Sequence, residues 1–418
     1  LIFYIGSALY VGWILLFLKK RKEIDYKRFS VSAANQSNVY QLITGMQEIK
    51  LNNCEKQKRW EWERIQARLF KVSVKGLMLQ QNQQAGSTLI NQAKNILISF
   101  IAAKAVIEGN MTLGMMMAVQ YIIGQLNSPI NEFIGFIQAG QDAKISLERL
   151  GEIHKNEEEE QAGVVTLDEL PAKRDITVSN LSFHYEGPKS PRVLNNINLV
   201  IPEKKVTAIV GASGSGKTTL IKLLLGFYLP AEGKIELDNV NLNSLNMEMW
   251  RQNCGTVMQD GFIFSDTIAN NIAIGVDVPN KAKLAQAVKV ANIDDFIESL
   301  PLRYNTKTGQ EGSGLSQGQK QRILIARAVY KNPEFLFFDE ATNALDANNE
   351  KVILENLSSF YEGKTVITVA HRLSTVKSAH QIVVLDKGEV VETGTHEELT
   401  KKKGAYYQLV KNQLELGN

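Results

Sequence analysis

Gly211-Ala212-Ser213-Gly214-Ser215-Gly216-Lys217-Thr218-Thr219 decides how this chain is read. An apolar, β-prone stretch, 206–210, precedes it, and residues 220–225 after it read as a helix. A strand, a glycine turn and a helix N-terminus in that order make a phosphate cradle. Glycine lets the backbone curl until several N–H groups point at one anion, and the helix dipole adds positive potential there. Lys217 reaches toward the β- and γ-phosphates, and the Thr218 hydroxyl suits Mg²⁺. Gly211, Ser213, Gly214, Ser215, Gly216, Lys217, Thr218 and Thr219 therefore form the expected nucleotide-binding set. A glycine-rich turn with no ligand is the plainer alternative, and the flanking strand and helix count against it.

A second run, Phe335-Leu336-Phe337-Phe338-Asp339-Glu340, is four large apolar residues ending in two acids. It fits a central strand of a parallel sheet, buried on both faces. Ligands of such sheets sit at the carboxyl ends of the strands. Asp339 is expected to hold the Mg²⁺ shell and Glu340 to polarise a water aimed at the γ-phosphate. An apolar run ending in Asp-Glu is a common strand end on its own; downstream of a phosphate loop it points to catalysis.

Between these lies Gly314-Leu315-Ser316-Gln317-Gly318-Gln319-Lys320-Gln321-Arg322. Ser316 is a good N-cap, and residues 323–330, with Ala, Leu and Arg among them, continue as a helix. The segment resembles the signature of ATP-binding cassette (ABC) proteins, usually Leu-Ser-Gly-Gly-Gln, with Gln317 at the first glycine. The resemblance implies that Ser316, Gly318 and Gln319 act on ATP held by the phosphate loop of a second subunit. Other family elements occur in order. Tyr185 resembles the aromatic that stacks on adenine; a strand tyrosine in the core is the alternative. Gln259, in Val257-Met258-Gln259-Asp260, resembles the glutamine that senses Mg²⁺ and joins the core to a helical subdomain. Residues 308–312 resemble the loop that exporters turn toward the membrane part, and Asn343-Ala344-Leu345-Asp346 the loop crossing the dimer interface. His371, after the apolar run 365–369, resembles the histidine that contacts the γ-phosphate. The likeness covers residues 174–418 and implies an α/β phosphate-loop domain that uses ATP and Mg²⁺. In it Glu340, His371 and Gln259 would serve catalysis, and Thr218, Gln259 and Asp339 the metal.

The first 149 residues are of another kind. Residues 1–18 carry no charge, and Lys19-Lys20-Arg21-Lys22 follow at once. Such a run suits a membrane helix with its charged end in the cytoplasm. A secretory signal would place its charges before the apolar run. The start at Leu rather than Met reads as an N-terminally truncated piece. Residues 19–84 are polar with apolar positions at helical spacing, as at Val39, Leu42, Ile43 and Met46. They are expected as two cytoplasmic helices, each about 37 Å long at 1.5 Å per residue. Within them, residues 45–58 resemble an exporter's second intracellular loop, which implies a short coupling helix near 51–58. Weaker spans are expected at 85–107 and 113–136, studded with Lys94, Lys104, Gln120, Gln125, Asn127, Pro129 and Glu132. Lys104 can snorkel outward, whereas Lys94 has three open placements: facing the pathway, snorkelling inward, or lying outside the hydrocarbon. The expectation is thus a partial exporter membrane domain at 1–149, a linker at 150–173 with the acidic run 157–160, and a cassette at 174–418. The exporter half it resembles has six spans, so these would be its fourth to sixth.

A formal net charge of +3 among 418 residues argues against nucleic acid, as does the lack of a basic stripe with interleaved aromatics. Cys54 and Cys254 show no metal-ligand spacing and are expected as free thiols. The resemblance implies ATP-driven export through a membrane-embedded homodimer, in contact with lipid, its cassette in the cytoplasm. Three rivals stand beside it. A soluble cassette ATPase acting on nucleic acid or ribosomes is opposed by the fused spans, and a nucleotide-gated channel by Glu340. A transporter with a further N-terminal leader-peptidase domain is suggested by wording similar to bacterial peptide exporters, which implies a peptide cargo.

Overall fold

A computed structural model describes residues 2–154, 167–187, 190–309, 312, 314–370 and 373–416. His371, Gln310, Glu311 and the acidic run 157–160 lie outside the described residues. The chain divides into two compact units, 1–157 and 158–418.

The first unit is helical: α1 (Ile2–Thr44), α2 (Met46–Leu51), α3 (Glu55–Ile107) and α4 (Leu113–His154). The first proline of the chain is Pro129, inside α4, so no proline interrupts α1 or α3 over their 43 and 53 residues. The helices break at Gly45, at the turn 52–54, where Asn53 takes φ 49°, and near Gly109, at φ 76°. The short helix expected near 51–58 is therefore displaced: Met46–Leu51 forms it, and 55–58 already belong to α3. α4 likewise runs on to His154, into the expected linker.

Among the described residues, α1 alone is long and apolar enough to cross a membrane. The expected spans at 85–107 and 113–136 fall on the C-terminal part of α3 and the N-terminal part of α4, where polar residues dilute the apolar signal. Small residues let these helices approach. A Cβ on Gly86 would lie 2.4 Å from the Trp13 ring, and one on Gly6 would lie 2.6 Å from Lys94 Cγ. Trp13 Nε1 donates to the Gln83 carbonyl at 3.1 Å. Lys94 is buried, its Nζ 2.9 Å from Asn127 Oδ1 and 4.5 Å from the centre of the Phe3 ring. Cys54 is half-buried and free, at the turn that leads into α3.

The second unit opens with β1 (Ile176–Phe183), β2 (Leu194–Ile201), β3 (Val206–Gly211) and α5 (Lys217–Leu224). β4 (Glu232–Leu237), β5 (Val240–Asn241), α6 (Met247–Gln252) and β6 (Cys254–Val257) follow. Four helices come next: α7 (Ile268–Ile272), α8 (Lys281–Val290), α9 (Asp294–Ser299) and α10 (Gln317–Lys331). The chain continues through β7 (Phe335–Asp339), α11 (Ala347–Phe360), β8 (Thr365–Val369) and α12 (Leu373–Lys377). It closes with β9 (Gln381–Asp386), β10 (Glu389–Gly394), α13 (His396–Lys402) and α14 (Ala405–Leu416). Packing begins before residue 174, because Leu167 bridges to Leu245 in parallel fashion.

Two sheets result. The larger has the order β10-β9-β3-β8-β7-β6, parallel throughout except for the edge strand β10; the smaller, antiparallel sheet has the order β2-β1-β4-β5. Alternation along the parallel strands divides the core. Phe335 and Phe337 face a cluster shared with the small sheet, α5 and Trp250, while Leu336 and Phe338 face one shared with α8 and α10. Both faces are covered, which explains the continuous apolar runs in these strands. Trp250 anchors the first cluster. It is 1% exposed, its ring centroid lies 4.8 Å from that of Phe335, and its Nε1 donates to the Leu224 carbonyl at 3.1 Å. Trp250→Ala is expected to destabilise this unit by about 3–5 kcal/mol through the cavity it leaves. Urea denaturation of the purified chain measures this, and a loss below about 1 kcal/mol would contradict it.

Candidate nucleotide site

The parallel order brings the loops with polar chemistry to one edge. β3 ends in the glycine run, β7 in Asp339 and Glu340, and β6 runs out to Gln259, which is exposed. β8, between β3 and β7, leads through Ala370 toward His371, whose own placement is outside the described residues. Register aligns these exits: Ile209 pairs with Val369, Val369 with Asp339, and Phe338 with Val257.

Sterics explain two glycines of the run. A Cβ on Gly211 would sit 2.1 Å from the Leu385 carbonyl oxygen and 2.7 Å from Ser215 Oγ. Gly216 caps α5 at φ 100°, and a Cβ there would meet Leu194 Cδ2 at 2.6 Å. Lys217 is buried, and its Nζ donates to the carbonyls of Gly211 at 3.0 Å and Ala212 at 2.9 Å. Burial lowers its pKa, and the nearby Glu340 and Asp339 oppose that shift. Ser213 and Gly214 are exposed, whereas Ser215 and Thr219 are buried.

Tyr185 is 46% exposed, so it is no core residue. Its hydroxyl lies 2.9 Å from Thr219 Oγ1, which ties it to the phosphate loop. Its ring stands edge-on to Phe183 at 5.0 Å and to Tyr228 at 5.3 Å. Sequence reading overlooked Tyr228. It follows α5 with no spacing that would single it out, and only the fold brings it to Tyr185.

Asp339 is fully buried, and neither carboxylate oxygen reaches a hydrogen-bond partner. Burial raises its pKa; the Thr218 hydroxyl beside it counters this, Glu340 adds to the rise, and Lys217 opposes it. The Thr218 hydroxyl is a neighbour of the carboxylate rather than a well-formed hydrogen-bond donor to it. Ser215 Oγ is also buried without a partner. Two unpaired carboxylate oxygens next to Thr218 and an unpaired hydroxyl in the glycine run suit a hard divalent cation and a phosphate oxygen. Thr218, Asp339 and Gln259 are the residues that would hold Mg²⁺, which would supply charge neutralisation at the phosphates.

Glu340 adopts φ 53°, a left-handed conformation that costs a non-glycine residue about 1–3 kcal/mol. Backbone and side-chain contacts hold it. Its N–H donates to the Val369 carbonyl at 3.2 Å, Asn343 Nδ2 donates to its Oε2, and Gln321 Nε2 donates to its carbonyl at 2.9 Å. That carbonyl also accepts from the Asn343 N–H at 3.2 Å. Gln321 belongs to the signature but was not singled out from sequence, where only its proximity to Ser316 marked it. Ser316 caps α10 in a reciprocal box: Gln319 N–H donates to Ser316 Oγ at 3.2 Å, and Ser316 N–H to Gln319 Oε1 at 2.8 Å. The Ser-x-x-Gln spacing was the available signal for that box. Asp346 caps α11 by accepting from Asn349 N–H at 3.0 Å, and this bond holds its carboxyl below the usual range.

This is a phosphate-loop nucleotide fold with a second capped helix carrying a signature. Residues 194–343 match the family model described as ABC transporter. The chain is 39% identical over 390 residues to the leukotoxin export ATP-binding protein of Aggregatibacter actinomycetemcomitans, covering 93% of this chain and 55% of that protein. It is 37% identical over 414 residues to the leukotoxin translocation ATP-binding protein of Bibersteinia trehalosi, covering 99% and 57%. The chain thus spans little more than half the length of the curated relatives it matches. The solved structure of a bacterial Atm1-family ABC exporter with ATP bound superposes with a TM-score of 0.91 at 28% identity, covering 98% of this chain and 71% of that one. The chain carries an ABC transporter cassette, which binds ATP.

The unpartnered Asp339 generates a test. Its raised folded-state pKa means that its contribution to stability is present below the ordinary Asp value of about 3.9 and is lost as pH rises through the folded value. Asp339→Asn is therefore expected to raise the nucleotide-free Tm at pH 7 and to abolish the further rise produced by Mg²⁺ with ATP. Thermal unfolding of both proteins, with and without Mg²⁺-ATP, measures this; an undiminished Mg²⁺-ATP shift in the variant would contradict it.

Proposed function

We propose that the chain is part of an ABC exporter that uses ATP hydrolysis to move a polypeptide across a membrane. The observation that carries this reading is the gathering of the phosphate loop, Asp339, Glu340 and Gln259 at one sheet edge, in a chain that also has a long apolar helix. The relatives' names support export and favour it over a gated channel; leukotoxin is their cargo, and a peptide or protein is the corresponding class here. α1 and the parts of α3 and α4 at 85–107 and 113–136 would lie in the membrane, and the cassette would face the cytoplasm. The outward-facing Ile5, Leu9, Leu16, Ile96, Phe100 and Phe136 suit lipid.

In this reading Tyr185 stacks on adenine, while the glycine run and Lys217 hold the phosphates. Glu340 accepts a proton from the attacking water, and His371 and Gln259 align the γ-phosphate and that water. Ser316 and Gly318 close over the nucleotide of a second copy, so hydrolysis follows dimer closure. Glu340→Gln is expected to retain ATP binding and to lower kcat by about 10²–10⁴-fold, the range for loss of a general base. Turnover near the wild-type rate would remove Glu340 from that role.

Shared sites predict complementation. Ser316→Arg and Lys217→Ala should each be inactive alone, the first because a bulky cation blocks closure, the second because a phosphate contact is lost. In a heterodimer of the two, one site carries both lesions and the other neither. ATPase activity in isolated, doubly tagged heterodimers should exceed that of either homodimer. Activity no higher than the homodimers would count against sites shared between copies.

A further inference from the structure

The carboxamide of Gln321 bridges two segments on the same chain. Nε2 donates to the Glu340 carbonyl at 2.9 Å, and Oε1 accepts from the Ala344 N–H at 3.0 Å. Glu340 is the residue in the left-handed conformation, and Ala344 lies in the loop 343–346 that follows it. The first turn of α10 packs on the same residue, since a Cβ on Gly318 would lie 3.2 Å from the Ala344 carbonyl oxygen. Asn343 in turn bonds the Glu340 carboxylate. One side chain therefore holds both ends of the short turn that aims Glu340.

We infer that Gln321 is a positioning residue that fixes Glu340 of its own chain and ties that carboxylate to the signature of α10. This inference rests on the reading of the site given above. Ser316 and Gln321 are separated by about 7.5 Å along the helix at 1.5 Å per residue. The start of α10 would meet the partner's nucleotide, while Gln321, little more than one turn on, holds this chain's own Glu340. A shift of α10 on closure at one site would thus be felt by the carboxylate at the other.

The test uses the full chain in lipid nanodiscs. Gln321→Met keeps the side chain's length and removes both hydrogen bonds. Its homodimer should keep ATP affinity within about twofold and lose kcat by about tenfold to a hundredfold, as expected of a displaced catalytic group. Two heterodimers separate action on the same chain from action on the partner. With Q321M on one chain and E340Q on the other, the only remaining Glu340 is the misplaced one, and activity should fall about tenfold or more below that of a wild-type/E340Q heterodimer. With both substitutions on one chain they damage the same site, and activity should match that heterodimer. Equal activity in the two arrangements, or the reverse order, would overturn the inference. If a single intact site does not turn over, the homodimer decides: wild-type kcat in Q321M overturns it, and a fall in kcat at unchanged affinity supports it. A wild-type protein without ATPase activity would instead sink the functional reading itself.

Discussion

Parallel strands covered on both faces leave only their ends for polar chemistry. In this cassette the constraint is severe: β3, β7 and β8 are almost wholly buried; β7 and β8 alternate between two apolar clusters, and β3 between the first of these and a third shared with β9 and Tyr406. Any group that must meet water or phosphate is pushed to the carboxyl edge, where the glycine run, Asp339 and Glu340 emerge. The strand order, β3-β8-β7-β6, then decides which loops become neighbours. Residues 211 and 339, far apart in sequence, come within reach of one ligand because a single strand separates theirs.

That edge is held in an uncomfortable state. Asp339 is buried with unpaired oxygens, Glu340 sits in left-handed backbone, and the Lys217 ammonium bonds to carbonyls of its own loop. Each cost is tolerable because the surrounding core is dense and leaves these residues little freedom. A bound nucleotide with its cation would give Asp339 and Ser215 the partners they lack, so ligand binding and the stability of this edge are linked.

Much of this was legible from residues. The apolar runs 206–210, 335–338 and 365–369 appear as β3, β7 and β8, and Ser316 opens α10 as its N-cap. These signals are local: a buried parallel strand needs an unbroken apolar run, and a cap needs a short polar side chain. What depends on distant contacts was not legible. The short helix came out at Met46–Leu51 because Gly45 and the left-handed Asn53 set its limits, which periodicity does not reveal. The two ends of the Gln321 amide meet Glu340 and Ala344 only after β7 is laid beside α10. The edge-on contact of Tyr228 with Tyr185 depends in the same way on where α5 ends. Polar residues within α3 and α4 leave two of the expected spans less apolar than α1.

The two cysteines differ in a way that gives the chain a built-in handle. Cys254 begins β6 inside the core, 3% exposed, and burial pushes its thiol far above the ordinary value. Cys54 stands half-buried at the turn between α2 and α3. Thiol-directed reagents should therefore discriminate between them without mutagenesis. A fluorophore or spin label would be delivered to the turn between two helices of the first unit, at a segment whose displacement would be informative, while the nucleotide fold stays unmodified.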